Sequence, residues 1–170
     1  MRYEGRVNER VQAWLGTIVF LFVVPGVVAG LIPFLIRGGE VADGAGMWVG
    51  AAAVSVGVVL LLHAFVLFAA QGIGTPAPIA PTKHLVVSGA YRYVRNPMYL
   101  AVLSIIFGQA LLFADLTVAL YGVGIFLLVA TFVRLYEEPT LHEQFGHEYE
   151  RYRAQVPRWI PRSRPYSSDA

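Results

Sequence analysis

The sequence predicts an all-α polytopic membrane protein of four transmembrane helices followed by a C-terminal amphipathic helix. Of its 170 residues 56% are hydrophobic and 14% charged, where an ordinary soluble domain carries about 25% charged residues. The apolar residues fall into runs long enough to cross a bilayer, and the lysines and arginines collect in alternate connecting segments. Length argues for a single domain over residues 1–170, with no repeat, low-complexity tract or long linker. The chain has no cysteine, which excludes disulfides, thiolate-bound metals and catalysis by a cysteine of its own. A net charge of +2 spread over several loops gives no reason to expect a nucleic-acid partner.

The first thirteen residues carry Arg2, Arg6 and Arg10 among Glu4 and Glu9. The apolar run that follows has no small-residue cleavage pattern, which argues against a removed signal peptide. Residues 14–36 and 47–70 are runs of 23 and 24 residues, the second containing His63 as its strongly polar member. Each crosses a ~30 Å hydrocarbon core as a helix. Pro25 and Pro33 should kink the first, a kink that lipid tolerates where neighbouring helices satisfy the freed carbonyls. A polar group in a span usually faces a cavity or the bundle interior. The preferred reading of His63 is a hydrogen-bonded packing residue, with a functional role second.

Residues 98–133 are apolar over 36 positions apart from Asp115. As one helix they would reach about 54 Å, so they fold back at Ala114-Asp115-Leu116-Thr117, with Asp115 placed to cap the next helix. Spans at 98–113 and 116–133 result. The N-terminal arm holds three arginines, the 72–97 loop holds Lys83, Arg92 and Arg95, and the tail from Arg134 holds six more; the loop between the first two spans holds only Arg37. This twelve-to-one bias places both termini and the 72–97 loop in the cytosol. In residues 140–156, Leu141, Phe145, Tyr149, Tyr152 and Val156 recur at helical spacing among charges, predicting an amphipathic helix that starts at Pro139 and stops at Pro157. It either lies on the membrane surface or closes over a pocket.

Two motifs fail on inspection. His142 and His147 flank Glu143 almost as in zinc proteases, but five residues is ~500° of helix, which leaves the imidazoles about 140° apart, so no metal site is expected. The segment Gly72-Ile73-Gly74-Thr75-Pro76-Ala77 looks like a dinucleotide loop yet follows an apolar span rather than a strand.

One constellation holds. Ser88-Gly89-Ala90-Tyr91-Arg92-Tyr93-Val94-Arg95-Asn96-Pro97-Met98-Tyr99 is followed some forty residues later by Glu137-Glu138 and then Phe145-Gly146, Tyr149 and Tyr152. These arginines and carboxylates either anchor the helices by snorkelling or build a site for a polar, charged cofactor. In order and spacing, Gly89-x-Tyr91, Arg95-x-Pro97-x-Tyr99, Glu137-Glu138, Phe145-Gly146 and Val156-Pro157-Arg158 through Pro161 resemble the integral-membrane methyltransferases of the isoprenylcysteine carboxyl methyltransferase and phospholipid methyltransferase type, over residues 72–161. The resemblance implies a cytosol-facing pocket for S-adenosylmethionine under the tail helix, with a lipophilic or lipid-anchored acceptor arriving laterally from the bilayer. By match it assigns His84, Gly89, Tyr91, Arg95, Asn96, Pro97, Tyr99, Glu137 and Glu138 to the cofactor, with Arg134 and Glu138 as candidate catalytic residues. Arg134 would orient the acceptor; it reads equally as a snorkelling anchor or a partner of Glu138. Many relatives have histidine where this chain has Asn96, which hydrogen-bonds but does not titrate near neutral pH.

The residue types suit such a cofactor on chemical grounds. Glutamate receives an ammonium, arginine or asparagine a carboxylate, and tyrosine faces stack on adenine or approach a sulfonium. Ser104, Gly108, Gly122 and Gly124 suggest a thin seam between the third and fourth spans for an apolar acceptor. Two other readings stay open: an NADPH-dependent membrane reductase, since sterol reductases resemble the same C-terminal pattern, and a non-catalytic lipid-binding protein.

Overall fold

A computed structural model describes residue 19 and residues 21–67 and 85–167. Every regular element among them is helical: α1 (Leu21–Ile36), α2 (Ala45–Leu67), α3 (Pro97–Leu112), α4 (Leu116–Phe145) and α5 (His147–Gln155), with a 3-10 turn at Gly89–Arg92 before α3. By length and composition α2 and α4 are able to cross a membrane, and α1 and α3 are shorter apolar helices. The N-terminal arm, the glycine–proline segment at 72–77, Lys83 and His84 lie outside the described residues.

The kink expected of α1 takes the form of a π-helical stretch, Gly26–Leu31, between its two prolines. Pro33 lacks the N–H that would serve Ala29 O in an α-helix or Val28 O in a π-helix. Both carbonyls are satisfied from other helices: Gln109 Nε2 donates to Ala29 O at 2.6 Å and the Tyr121 hydroxyl to Val28 O at 2.8 Å. Apolar packing and these bonds together hold α1 onto α3 and α4, in a core built from Ala29, Leu61, Phe65, Ala101, Ile105, Ile106 and Val118.

Helices α2 and α3 are in near-backbone contact. A Cβ on Gly108 would lie 2.8 Å from Val54 N and 3.0 Å from Gly50 O, and Ser104 Oγ donates to Ala53 O at 2.9 Å. The seam read between the third and fourth spans is therefore misplaced. Ser104 and Gly108 face α2; Gly122 faces α3 but meets the Phe107 ring, and a Cβ on Gly124 would touch nothing.

Asp115 caps α4 through Oδ1, which accepts from Thr117 N and Val118 N at 2.8 and 3.1 Å. Its Oδ2 accepts from Gly38 N and Gly39 N at 2.7 and 3.1 Å, tying down the connection between α1 and α2. Four backbone donors, that of Gly38 foremost, hold this carboxyl below the usual carboxylate range. Gly39 is required here, because a Cβ would run into the Phe113 carbonyl.

Two boundaries differ from expectation. The fourth helix does not end at 133; it passes through a π-helical turn, Val133–Glu137, directly into Glu138–Phe145. Pro139 sits at the start of that last segment, where its missing N–H is absorbed by the widened turn. The amphipathic helix read over 140–156 is broken at Gly146, whose φ of +50° side chains resist, so α5 leaves in a new direction. His63 is also not a buried, hydrogen-bonded packing residue. It is exposed, and its Nε2 lies 2.8 Å from where a Cβ on Gly89 would stand.

Candidate functional site

The turn Gly89–Arg92 leads into Arg95, Asn96 and Pro97, and Pro97 starts α3, where its fixed φ and missing N–H are tolerated. Gly89 adopts φ +55°, and a side chain there would strike Leu67 and His63. Opposite this segment the π turn of α4 presents two successive carboxylates, each with different partners.

Glu137 Oε2 accepts from the Tyr99 hydroxyl at 2.9 Å, and Oε1 has no hydrogen-bond partner among the described residues. Glu138 is gripped from two sides. Arg95 Nη1 donates to its Oε1 at 2.7 Å, and Arg158 closes a bidentate pair, Nε to Oε1 at 2.8 Å and Nη2 to Oε2 at 2.7 Å. Arg95 Nη1 also reaches the Tyr149 hydroxyl at 3.2 Å. Its Nε–H is buried with no acceptor among the described residues.

Residues 156–166 form a strap over this end of the bundle. Arg95 N donates to Pro157 O at 3.0 Å, Asn96 Nδ2 to Arg158 O at 3.1 Å, and Arg162 N to Tyr93 O at 2.9 Å. Arg92 and Tyr166 exchange two bonds: Tyr166 N donates to Arg92 O at 2.9 Å, and Arg92 Nε to Tyr166 O at 2.7 Å. Under the strap, Tyr149, Tyr152, Val156 and Tyr166 form a small core with Leu141 and Phe145. The Tyr152 hydroxyl donates to Tyr91 O at 2.7 Å.

Between these parts lies a pocket of about 510 Å³, counting its open mouth, walled chiefly by Tyr91, Arg95, Asn96, Glu137, Glu138 and Tyr149, with Val133 and Leu141 beside them. Burial holds the hydroxyls of Tyr91, Tyr149 and Tyr152 above their ordinary range. The charge of Glu137 adds to this at Tyr91 and that of Glu138 at Tyr149, while at Tyr152 the Arg95 charge opposes it. All three therefore stay protonated at neutral pH.

Of the residues singled out from sequence, Tyr91, Arg95, Asn96, Glu137 and Glu138 meet in this pocket, and Tyr99 touches it through Glu137. Gly89 and Pro97 shape the backbone around it. Arg134 is exposed and forms no ion pair among the described residues. His84 lies outside them. The residue that sequence reasoning left out of the site is Arg158; the signal for it was its place in the Val156-Pro157-Arg158 motif. On the outer surface Glu150 bridges His142 Nε2 at 2.7 Å and His147 Nδ1 at 3.1 Å across the Gly146 break.

A bundle of apolar helices carrying an arginine- and carboxylate-lined pocket at one end has the architecture of an integral-membrane protein. The chain belongs to the phospholipid methyltransferase family, whose model matches residues 45–148. Among solved structures it is similar to the eukaryotic intramembrane Ras methyltransferase ICMT (isoprenylcysteine carboxyl methyltransferase), with a TM-score of 0.56 and 19% identity. At that identity the likeness is one of fold. The match covers 96% of this chain and 55% of the other, so the chain spans about half the length of that enzyme. No curated protein matches.

Proposed function

We propose that this protein transfers a methyl group from S-adenosylmethionine to a lipophilic or lipid-anchored acceptor at the cytosolic membrane face. The observation that carries the reading is that one pocket holds a Glu137 oxygen without a hydrogen-bond partner, and a buried Arg95 Nε–H without an acceptor, among the described residues. An amino-acid zwitterion supplies the complement to both: its ammonium for Glu137 and its carboxylate for Arg95, with Asn96 beside it. Tyr91 and Tyr149 offer ring faces to an adenine or a sulfonium. Glu138, with both oxygens held by arginines, fixes Arg95 and the strap rather than binding the cofactor directly.

When bound, the cofactor would supply an activated methyl carbon on a sulfonium leaving group, open to attack by the acceptor's lone pair. Catalysis then asks of the chain mainly alignment and exclusion of water. The buried tyrosines under the strap exclude water, and Arg134, on the outer side of α4, is assigned to orient the acceptor from the membrane. The helices α1 to α4 are read as four spans with both termini cytosolic. A reporter fused after Ala170 is then cytosolic and one inserted near Gly44 external; both on one side would refute the topology.

The reductase reading gains no support, because the family model that matches and the similar solved structure are both of methyltransferases. Calorimetric titration of the purified protein with S-adenosylhomocysteine and, separately, NADPH tests the proposal. Binding of the first and not the second is expected; the reverse overturns it.

A further inference from the structure

The polar end of the chain carries its charge in two blocks. Residues 137–150 hold five glutamates and no lysine or arginine, whereas residues 151–168 hold five arginines and no aspartate or glutamate. Three of the glutamates are partnered inside the chain: Glu137 by Tyr99, Glu138 by Arg95 and Arg158, and Glu150 by His142 and His147. The arginines are not matched in this way. Of the five, Arg158 alone forms an ion pair among the described residues; Arg151, Arg153 and Arg164 are exposed, and Arg162 gives Nη1 to the Gln155 carbonyl at 3.0 Å. That bond sets a cation on the last carbonyl of α5, where the helix dipole favours one, and ties the strap to the end of that helix. Arg151 and Arg153 lie four and two residues before Gln155, and Arg164 two after Arg162, so one bond gathers four cations around it.

The strap's attachments fix where this edge lies. It is bonded to residues 92–96, immediately before the apolar run of α3 begins at Pro97, and to Glu138, just past the apolar part of α4, Leu116–Phe132. Between these anchors Trp159 packs edge-on against Phe126, inside that apolar part, with ring centroids 5.5 Å apart. The strap therefore straddles the border between the apolar wall of the bundle and its charged end, which in an integral-membrane protein is the headgroup layer. Ile160, beside Trp159, is 78% exposed, and an open apolar residue among arginines is the composition of segments that rest on a lipid interface.

We propose that the arginine-bearing edge of α5 and the strap is a docking surface for anionic phospholipid, and that lipid held there clamps the strap over the pocket. Charge complementarity fixes the occupant: a headgroup phosphodiester with net negative charge supplies the acidic partners that the chain does not give to Arg151, Arg153, Arg162 and Arg164. A zwitterionic headgroup carries its own ammonium and competes poorly. Each arginine near an anionic surface strengthens the association roughly fivefold, an effect that salt screens. The clamp follows from the strap's own bonds, which end on Glu138 and residues 92–96. Lipid that holds the strap down and a ligand that needs these walls in place favour the same arrangement, so each raises the affinity for the other. The docking surface stands apart from the proposed methyl transfer; only the reading of the clamp through the cofactor rests on it.

The chain has no cysteine, so Ser163→Cys, at an exposed position between Arg162 and Arg164, takes a single nitroxide label. The labelled full chain is placed in nanodiscs of phosphatidylcholine with and without phosphatidylglycerol, and collision of the nitroxide with a neutral, water-soluble nickel chelate is measured by power saturation. Phosphatidylglycerol should lower this accessibility about threefold at low salt and much less at high salt. Combining R151Q, R153Q and R164Q should remove most of the change; R151Q with R153Q, which leaves the strap untouched, carries the comparison should the triple variant not hold its fold. In the same discs, calorimetric titration should show S-adenosylhomocysteine binding about threefold more tightly with phosphatidylglycerol present, and this gain should vanish in the variant.

Equal accessibility in the two lipids, or a phosphatidylglycerol effect that survives in the folded variants, overturns the docking surface. Protection of the label with unchanged S-adenosylhomocysteine affinity overturns the clamp. Absence of S-adenosylhomocysteine binding in either lipid would instead overturn the proposed function, and the accessibility comparison would still decide whether the arginine edge docks on anionic lipid.

Discussion

Exchanging each of the two neighbouring carboxylates for its amide separates structure from binding. Glu138 accepts three charge-assisted hydrogen bonds, one from Arg95 and two from Arg158, and its side chain is only 9% exposed. Glu138→Gln leaves two guanidinium groups facing an amide that offers one acceptor and its own N–H groups. Breaking a buried ion pair from one side costs about 3–5 kcal/mol. The Arg158 side chain is 32% exposed and turns to water at modest cost, so the lower end, about 3 kcal/mol, is expected. Glu137→Gln disturbs a single bond to Tyr99 and should change stability by less than about 1 kcal/mol. It removes the carboxylate proposed for the cofactor's ammonium, which should weaken S-adenosylhomocysteine about tenfold, or ~1.4 kcal/mol. Thermal unfolding in detergent and calorimetric titration, run on both variants, give the two readings. An E138Q protein as stable as wild type, or an E137Q protein that binds S-adenosylhomocysteine as wild type does, would refute the division of roles.

Y121F and Q109L each remove a donor from an α1 carbonyl that Pro33 leaves unserved; unfolding measurements should show each losing roughly 0.6–1.7 kcal/mol with S-adenosylhomocysteine affinity unchanged. G108A should destabilise by about 1–3 kcal/mol, because the nearest atom to its new methyl is the backbone nitrogen of Val54, which has little room to yield, whereas G124A should be close to neutral in the same assay. Asp115 is held below the usual carboxylate range, so its contribution to stability is present above that range and is lost as pH falls through the lowered value. The thermal midpoint of the wild type should drop across that acidic window, and the midpoint of D115N, already lower at neutral pH, should not show that component.

Features that were legible in the sequence rest on local chemistry. The cap at Asp115 and the need for outside donors near Pro33 follow from missing or surplus backbone groups within a few residues. The spacing of Leu141, Phe145, Tyr149, Tyr152 and Val156 correctly identified one apolar set, and all five do pack around one small core. The helix itself was misread, because a single glycine at positive φ redirects the chain without disturbing which side chains are apolar. Partner choice was the other gap. Nothing near residue 138 in the chain says that Arg158 will claim Glu138, or that Gly108 packs on Gly50 and not on the hairpin partner, since both depend on how distant segments cross. Among the pocket residues, the motif identified Tyr91, Arg95, Asn96, Glu137 and Glu138, while the different partners of the two glutamates follow from how distant segments meet.

The π turn at Val133–Glu137 is, in register terms, one residue more than an α-helix needs for the same sweep, since its bonds run from i to i+5 instead of i+4. Shortening α4 by one exposed position such as Leu135 would restore ordinary helix and leave Glu137 and Glu138 at nearly the same azimuth and height, because the widened turn takes up its extra residue without lengthening the helix. The turn thus absorbs an added residue without moving the paired carboxylates away from Arg95 and Tyr99. For the alignment of related chains, a one-residue gap between the apolar part of α4 and its paired glutamates marks a π turn gained or lost, not an error of registration.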